Sequence, residues 1–317
     1  MTRNGRMKWN RSFSAYCLRV VCSLGLLVST LVVRAQDAVP SLLEPDSVIP
    51  DCDTLFLYSH RTDTVVLPFL CLPETFQNVS DNQLTDSLGV LHPVWERLRM
   101  LKLAAGAGQV SDSLNIVHVG DSHVRGHIFP RTAGEVLKQA FGAVRYTDFG
   151  INGAFCFTFL RQDRIDRIAD LHPDFLILSL GTNESHNRRY NSTLHYRQME
   201  ELVRELRARL PNVPILVTTP PGSYERQRTS RRRRSYVINP RTSTTVKTIE
   251  RCADANGLAY WDMYNLLGGA KRACLNWQEA GLMRPDHVHF MPEGYKLQGE
   301  LLGQALLKAY NNYVKSQ

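Results

Sequence analysis

Four short blocks of this 317-residue chain hold the residue types that acyl transfer requires, in order along the sequence. Gly120-Asp121-Ser122-His123 places a hydroxyl between the apolar run Ile116–Val119 and a helix-like segment from Phe129 to Phe141. The Gly permits a tight turn. A helix N-terminus supplies backbone N–H groups that can stabilise negative charge beside the serine oxygen. Gly153 comes next, and its N–H can face an oxyanion because no side chain blocks the approach. Gly181-Thr182-Asn183-Glu184 directly follows a second apolar run and offers an amide donor at Asn183. Pro285-Asp286-His287-Val288-His289-Phe290 brings a carboxylate and two imidazoles just ahead of the last helical segment.

A serine hydroxyl is a poor nucleophile until a histidine accepts its proton. That histidine needs a carboxylate to fix its tautomer and stabilise the imidazolium. The tetrahedral intermediate needs fixed N–H donors, each worth about 3–4 kcal/mol in the transition state. Asp286 and His289, at i and i+3, can share one face of a helical turn, so the orienting carboxylate can be local. Asp121 reads as the side chain that hydrogen-bonds the turn under Ser122 rather than as a catalyst. Glu184 either fixes its loop or contacts substrate. His123 and Arg125 either line the substrate pocket or sit on the surface at the helix entry. Cys156 reads as buried filler.

These residues need a frame that brings strand ends together. From Leu114 onward, strand-like runs near 115–119, 144–149, 175–180, 214–219 and 258–262 alternate with helical segments near 129–141, 160–170, 193–210, 242–256 and 292–313. Alternation with unbroken apolar strands predicts an α/β fold with a parallel sheet covered on both faces. In such sheets the ligand crevice lies beyond the carboxyl ends of the strands, where all four blocks fall. Upstream, Trp95–Leu103 has helical spacing. The β-rich runs Thr54–Tyr58 and Thr64–Leu70 predict a hairpin or two edge strands, and residues 72–90 read as loop. The Arg-rich stretch Arg226–Arg234 reads as a solvated loop between two core elements, with attraction of an anionic substrate as its functional alternative.

The first 35 residues carry a basic n-region, an apolar run from Val20 to Val33 and a small-residue cleavage site at Val33-Arg34-Ala35, the pattern of a secretory signal peptide. The run is shorter than the roughly 20 residues of a membrane-spanning helix, so no stable membrane insertion is expected after cleavage. This segment holds six of the 38 basic residues and none of the 30 acidic ones, so the remainder is near neutral, +2 instead of +8. The apparent basicity is therefore a targeting feature, and nucleic acid is not an expected partner. Of the seven cysteines, Cys17 and Cys22 fall in the signal. Cys52, Cys71, Cys156, Cys252 and Cys274 form an odd set, with Cys52–Cys71 the first candidate pair. No Cys or His cluster has the spacing of a zinc site. The expected division is a signal peptide over 1–35, an N-terminal extension over 36–92 and a catalytic domain over 93–317.

The four ordered blocks resemble the SGNH/GDSL hydrolase superfamily over about residues 93–315. The resemblance implies a three-layer α/β/α sandwich with a flavodoxin-like parallel sheet. It implies Ser122 as nucleophile, His289 as general base and Asp286 as its orienter. The Ser122 and Gly153 N–H groups and the Asn183 side chain would form the oxyanion hole. The family's Asp-x-x-His spacing selects His289, which leaves His287 as a surface imidazole. The Gly-Thr-Asn-Glu block, Trp261-Asp262-Met263-Tyr264 and His289-Phe290-x-Pro292-x-Gly294-Tyr295 look like secreted bacterial members, some of which are peptidoglycan O-acetylesterases. That implies metal-free, cofactor-free removal of small acyl groups, acetyl foremost, from a glycan or small ester in the periplasm or outside the cell. His123 replaces the usual Leu after Gly-Asp-Ser, and Val124-Arg125-Gly126-His127 departs from the small or acidic residues of that group. An O-acyltransferase, a lipase or lysophospholipase, and a non-catalytic glycan-binding protein are the alternatives.

Overall fold

The computed structural model describes residues 63–108, 112–228 and 234–317. The expected signal peptide, the run 54–58 and Cys52, with its pairing to Cys71, lie outside the described residues. The elements are, in order, α1 (His92–Gly106), β1 (Leu114–Gly120), α2 (Ser122–Arg125), α3 (Ile128–Phe141), β2 (Val144–Gly150), a 3-10 turn (Cys156–Leu160), α4 (Gln162–Ala169), β3 (Phe175–Ser179), α5 (Thr182–His186), α6 (Ser192–Arg209), β4 (Ile215–Thr218), β5 (Tyr224–Arg228), β6 (Arg234–Ile238), α7 (Thr242–Ala255), β7 (Ala259–Trp261), α8 (Met263–Leu266), α9 (Gly269–Glu279) and α10 (Pro292–Ser316).

The central sheet has the order β2-β1-β3-β4-β7, and every pairing in it is parallel. The strand–helix alternation predicts the parallel sheet, and the order is the flavodoxin-like one that the resemblance implies. Successive residues of β3 divide between two cores, as the two-residue period of a strand demands. Phe175 and Ile177 join Leu98 of α1, Phe129 and Leu137 of α3 and Leu302 and Leu306 of α10. Leu176 and Leu178 join Ile165 of α4, Met199 and Leu202 of α6 and Ile249 of α7 on the other face. Both faces are thus covered, which is why β1 and β3 are buried at every position instead of alternating. Burying one such side chain stabilises the fold by about 1.5–3 kcal/mol.

Three segments depart from the sequence-based expectations. Residues 64–70 form no strand ladder among the described residues. Their backbone is held by a helix instead: the Val65 N–H donates to Asn311 Oδ1 at 2.8 Å, and Asn311 Nδ2 donates to Val65 O at 2.8 Å. One amide side chain thereby does what a neighbouring strand would do. The Arg-rich stretch is not a plain loop, because Tyr224–Arg228 and Arg234–Ile238 pair as an antiparallel hairpin; residues 229–233 lie outside the described residues. Helix α9 was not foreseen. At the far edge of the sheet, Thr85 and Tyr260 exchange two backbone hydrogen bonds at 2.9 Å and cover β7.

Gly120 and Gly150 face each other in the register of β1 and β2. A Cβ on Gly150 would stand 2.2 Å from Arg125 N and 2.5 Å from Arg125 Cα. The turn after β1 can therefore fold back over β2 only because position 150 has no side chain.

Candidate active site

Ser122 opens α2 at the carboxyl end of β1. Asp121 caps that helix, its Oδ1 accepting the His123 N–H at 2.9 Å. Its other oxygen lies 3.4 Å from Asn183 Nδ2. Asp121 is almost wholly buried, and burial pushes its carboxyl up to about 7 against the opposing pull of the His123 N–H, with Glu184 adding to the rise.

The structure brings Ser122, His289 and Asp286 into one line. His289 Nε2 lies 2.9 Å from Ser122 Oγ, and His289 Nδ1 lies 3.0 Å from Asp286 Oδ2. An ionised carboxylate only accepts, so Nδ1 carries the proton and the bare Nε2 faces the serine O–H. The other Asp286 oxygen accepts the Val288 and His289 N–H groups at 2.9 and 2.8 Å. Partial burial raises the Asp286 carboxyl, but those two N–H groups and the His289 ring outweigh it and hold the group below its ordinary value. The loop is closed by the Arg284 N–H donating to His289 O and the Met291 N–H to Leu282 O, both at 2.8 Å.

Gly153 sits across the cleft from this relay at φ +69°, with no atom within 4 Å of where a Cβ would stand. Its side of the cleft is thus open to a ligand. Asn183 Nδ2 donates to Ala154 O at 2.9 Å, which ties the Gly153 loop to the start of α5. Ser122, Gly153, Asn183 and His289 line one open cleft of about 580 Å³, together with Arg125, Gly126, Asn152, Arg284 and Tyr295.

Two residues considered for substrate contact do not reach this cleft. His123 is buried behind the relay, its Nδ1 3.0 Å from the Tyr295 hydroxyl and its ring 5.4 Å from that of His289. Burial drives its imidazole down to about 3, with the nearby His289 contributing, so it is neutral. Glu184 is buried as well, and its Oε1 accepts the Cys156 N–H at 2.7 Å. It fixes the loop, the first of its two sequence readings. His287 is not a free surface imidazole either: it packs 4.1 Å from the Tyr236 ring, and its carbonyl accepts the Tyr224 N–H at 2.9 Å. Adjacency in sequence put these residues beside the site, but in a turn neighbouring side chains point to different sides.

Arg284 and Tyr295 were not singled out as site residues. Their proximity in sequence to Asp286 and His289 was the available signal. Behind the oxyanion side, the buried Cys156, Glu184 and His195 place ligand atoms within 4.8 Å of one another, the trio among the described residues that could share a metal ion. His195 accepts or donates at Nδ1 with the Tyr190 hydroxyl at 3.0 Å, and burial pulls its imidazole down to about 4.

A parallel sheet in this order, with Ser, His and Asp aligned at its carboxyl end, defines an α/β acylhydrolase of the serine type. The chain belongs to the GDSL-like lipase/acylhydrolase family, whose model matches residues 116–297. Among solved structures, it is similar to a peptidoglycan O-acetylesterase, with a TM-score of 0.61 and 18% identity over 74% of this chain and 99% of the other. A GDSL-like lipase from Bacteroides thetaiotaomicron gives a TM-score of 0.45 and 20% identity over 68% of this chain and 98% of the other. An acetylxylan esterase from Geobacillus stearothermophilus gives 0.44 and 15% over 63% and 95%. No curated protein matches the sequence. At these identities the likeness is one of fold.

Proposed function

We propose that this chain is a serine esterase that removes small acyl groups, O-acetyl foremost, from a carbohydrate, and that it works in the periplasm or outside the cell. The observation that carries the reading is the unbroken relay from Ser122 Oγ through both ring nitrogens of His289 to Asp286. Ser122 Oγ attacks the ester carbonyl while His289 Nε2 takes its proton. Asp286 holds the resulting imidazolium. The Ser122 and Gly153 N–H groups and the Asn183 side-chain amide receive the developing oxyanion. His289 then returns the proton to the leaving sugar oxygen, and water hydrolyses the acyl-serine by the same steps in reverse order.

The cleft lining favours a short acyl group. It is made of Ser, Arg, Gly, Asn, His and Tyr, with no aliphatic side chain to receive a long chain, whereas a lipase needs an apolar surface for its substrate. The O-acetylated glycan named for the similar peptidoglycan O-acetylesterase supports the same reading. Export is supported by the basic and apolar segments of residues 1–35. Among the described residues, no helix is long and apolar enough to cross a membrane.

Acetate release from a panel of O-acetylated glycans, with Ser122→Ala as control, tests the proposal. Ser122-dependent acetate release is expected. Release by the variant at the wild-type rate would remove the mechanism, and a preference for long-chain esters would remove the substrate class.

A further inference from the structure

The cleft that holds Ser122 carries two guanidinium-bearing side chains, Arg125 and Arg284, and no carboxylate among its lining residues. The acids nearest in sequence do not line it: Asp121 and Glu184 are buried, and Asp286 faces His289. A wall with two cations and no acid concentrates positive potential where the ester must sit.

Arg125 is also held in place. His127 Nδ1 lies 2.6 Å from Asp148 Oδ2. Since the carboxylate accepts, Nδ1 carries the ring proton, and the bare Nε2 accepts an N–H from Arg125 Nη1. Asp148 therefore orients the ring of His127, and His127 Nε2 in turn holds the guanidinium. The arrangement uses one N–H of Arg125 and leaves its other donors for a ligand. His127 stands at φ +67° at the start of α3, a conformation that L-residues adopt at a cost. Arg284 has its root pinned by the hydrogen bond from its N–H to His289 O. Both cations are thus rooted in the turns that carry the nucleophile and the base.

We infer that Arg125 and Arg284 form a carboxylate-binding subsite beside Ser122, so that the preferred ester lies on an acidic glycan. The acylated sugar, or a substituent close to it, would carry the carboxylate. Guanidinium suits that partner because its planar donor fork matches the two oxygens. This inference rests on the esterase reading above and narrows its substrate.

A matched pair of substrates tests it: O-acetylated polygalacturonate, and the same polymer with its carboxylates masked as methyl esters. Acetate release is measured for each, with 4-nitrophenyl acetate as a small neutral ester. At low ionic strength kcat/KM is expected to favour the acidic polymer by about tenfold or more, the scale of one charge-assisted hydrogen bond. Added salt should shrink that ratio. In Arg125→Gln/Arg284→Gln the ratio should fall to within about twofold, as expected when the guanidinium donors are lost. Unacetylated polygalacturonate should inhibit wild-type turnover of 4-nitrophenyl acetate competitively, and lose that effect in the double variant. Equal turnover of both polymers, a ratio that survives in the double variant, or no competitive inhibition would each overturn the subsite. If 4-nitrophenyl acetate turnover is insensitive to Ser122→Ala, the esterase reading falls with it; if that turnover depends on Ser122 but charge has no effect, the subsite alone falls.

Discussion

Asp121 Oδ1 accepts the His123 N–H at 2.9 Å, so the carboxylate next to the nucleophile is turned into the protein as a helix cap. Its folded value near 7 lies above the value of about 4 for an unfolded Asp. As pH rises from about 4 to about 7, the unfolded chain gives up this proton before the folded one does. The contribution of Asp121 is therefore favourable at low pH and lost on passing through 7, by at most about 4 kcal/mol. Asp121→Asn removes this titration. The variant's Tm minus the wild-type Tm should climb between pH 4 and 7. Taking the difference cancels the opposite drift of His118 and His195, which burial holds near 3 and 4. A flat difference across that window would show that Asp121 is already ionised.

Ser122→Ala should lower kcat by a factor of about 10⁴ or more with no change in Tm, as loss of a triad nucleophile does elsewhere. His289→Ala should fall by a similar factor. His287→Ala should lose less than about tenfold in kcat and instead melt earlier, since its ring packs on Tyr236 and such aromatic pairs are worth about 0.5–1.5 kcal/mol. Steady-state rates on 4-nitrophenyl acetate and thermal melts separate the two imidazoles. A rate collapse in His287→Ala would reverse their assignment.

Gly150→Ala should damage activity although position 150 is outside the cleft. Its methyl group would press on the backbone of Arg125, and overpacking of that kind costs about 1–3 kcal/mol. The relief available is displacement of the Ser122 turn, so kcat should drop along with Tm. Normal kcat in a well-folded variant would mean that β2 gives way instead.

Asn311→Leu should separate stability from catalysis. It removes both hydrogen bonds that pin Val65, leaving buried backbone groups unpaired at a cost of about 1–3 kcal/mol. Tm should fall while kcat/KM stays at the wild-type value. Faster proteolysis near residue 65 would mark the same release, and an unchanged melt would show that water replaces the amide.

The sheet and its covering helices were legible because their burial is written as periodicity. Phe175-Leu176-Ile177-Leu178 can serve a strand covered on both faces, and α3, α6 and α10 carry helical spacing. Thr64–Leu70 has the composition of a strand, but composition reports an extended half-buried backbone, and here Asn311 supplies the pairing that a strand would. Helix α9 begins at Gly269 behind its cap Gly268, a Gly-Gly pair with the composition of a turn that hides the helical spacing of Ala273 and Trp277, both buried. The Arg run concealed the hairpin in the same way, since its Tyr224 and Tyr236 lie outside the run. At the site, residue types and spacing sufficed for Ser122, Asp286 and His289. They could not place His123 and Glu184, whose direction depends on which side of a turn each faces.

The relay has two joints of very different character. Asp286 and His289 are three positions apart on one closed loop, and the same carboxylate binds both the backbone and the ring of that loop. Their geometry is set locally. Ser122 and His289 are 167 positions apart, so their separation alone depends on the whole fold. The assembly therefore has, in effect, one adjustable coordinate: how the 282–291 loop is seated against the end of β1. An error of about 1 Å along it costs on the order of 10²-fold in rate. Variants across the molecule can be ranked by whether they move that single coordinate.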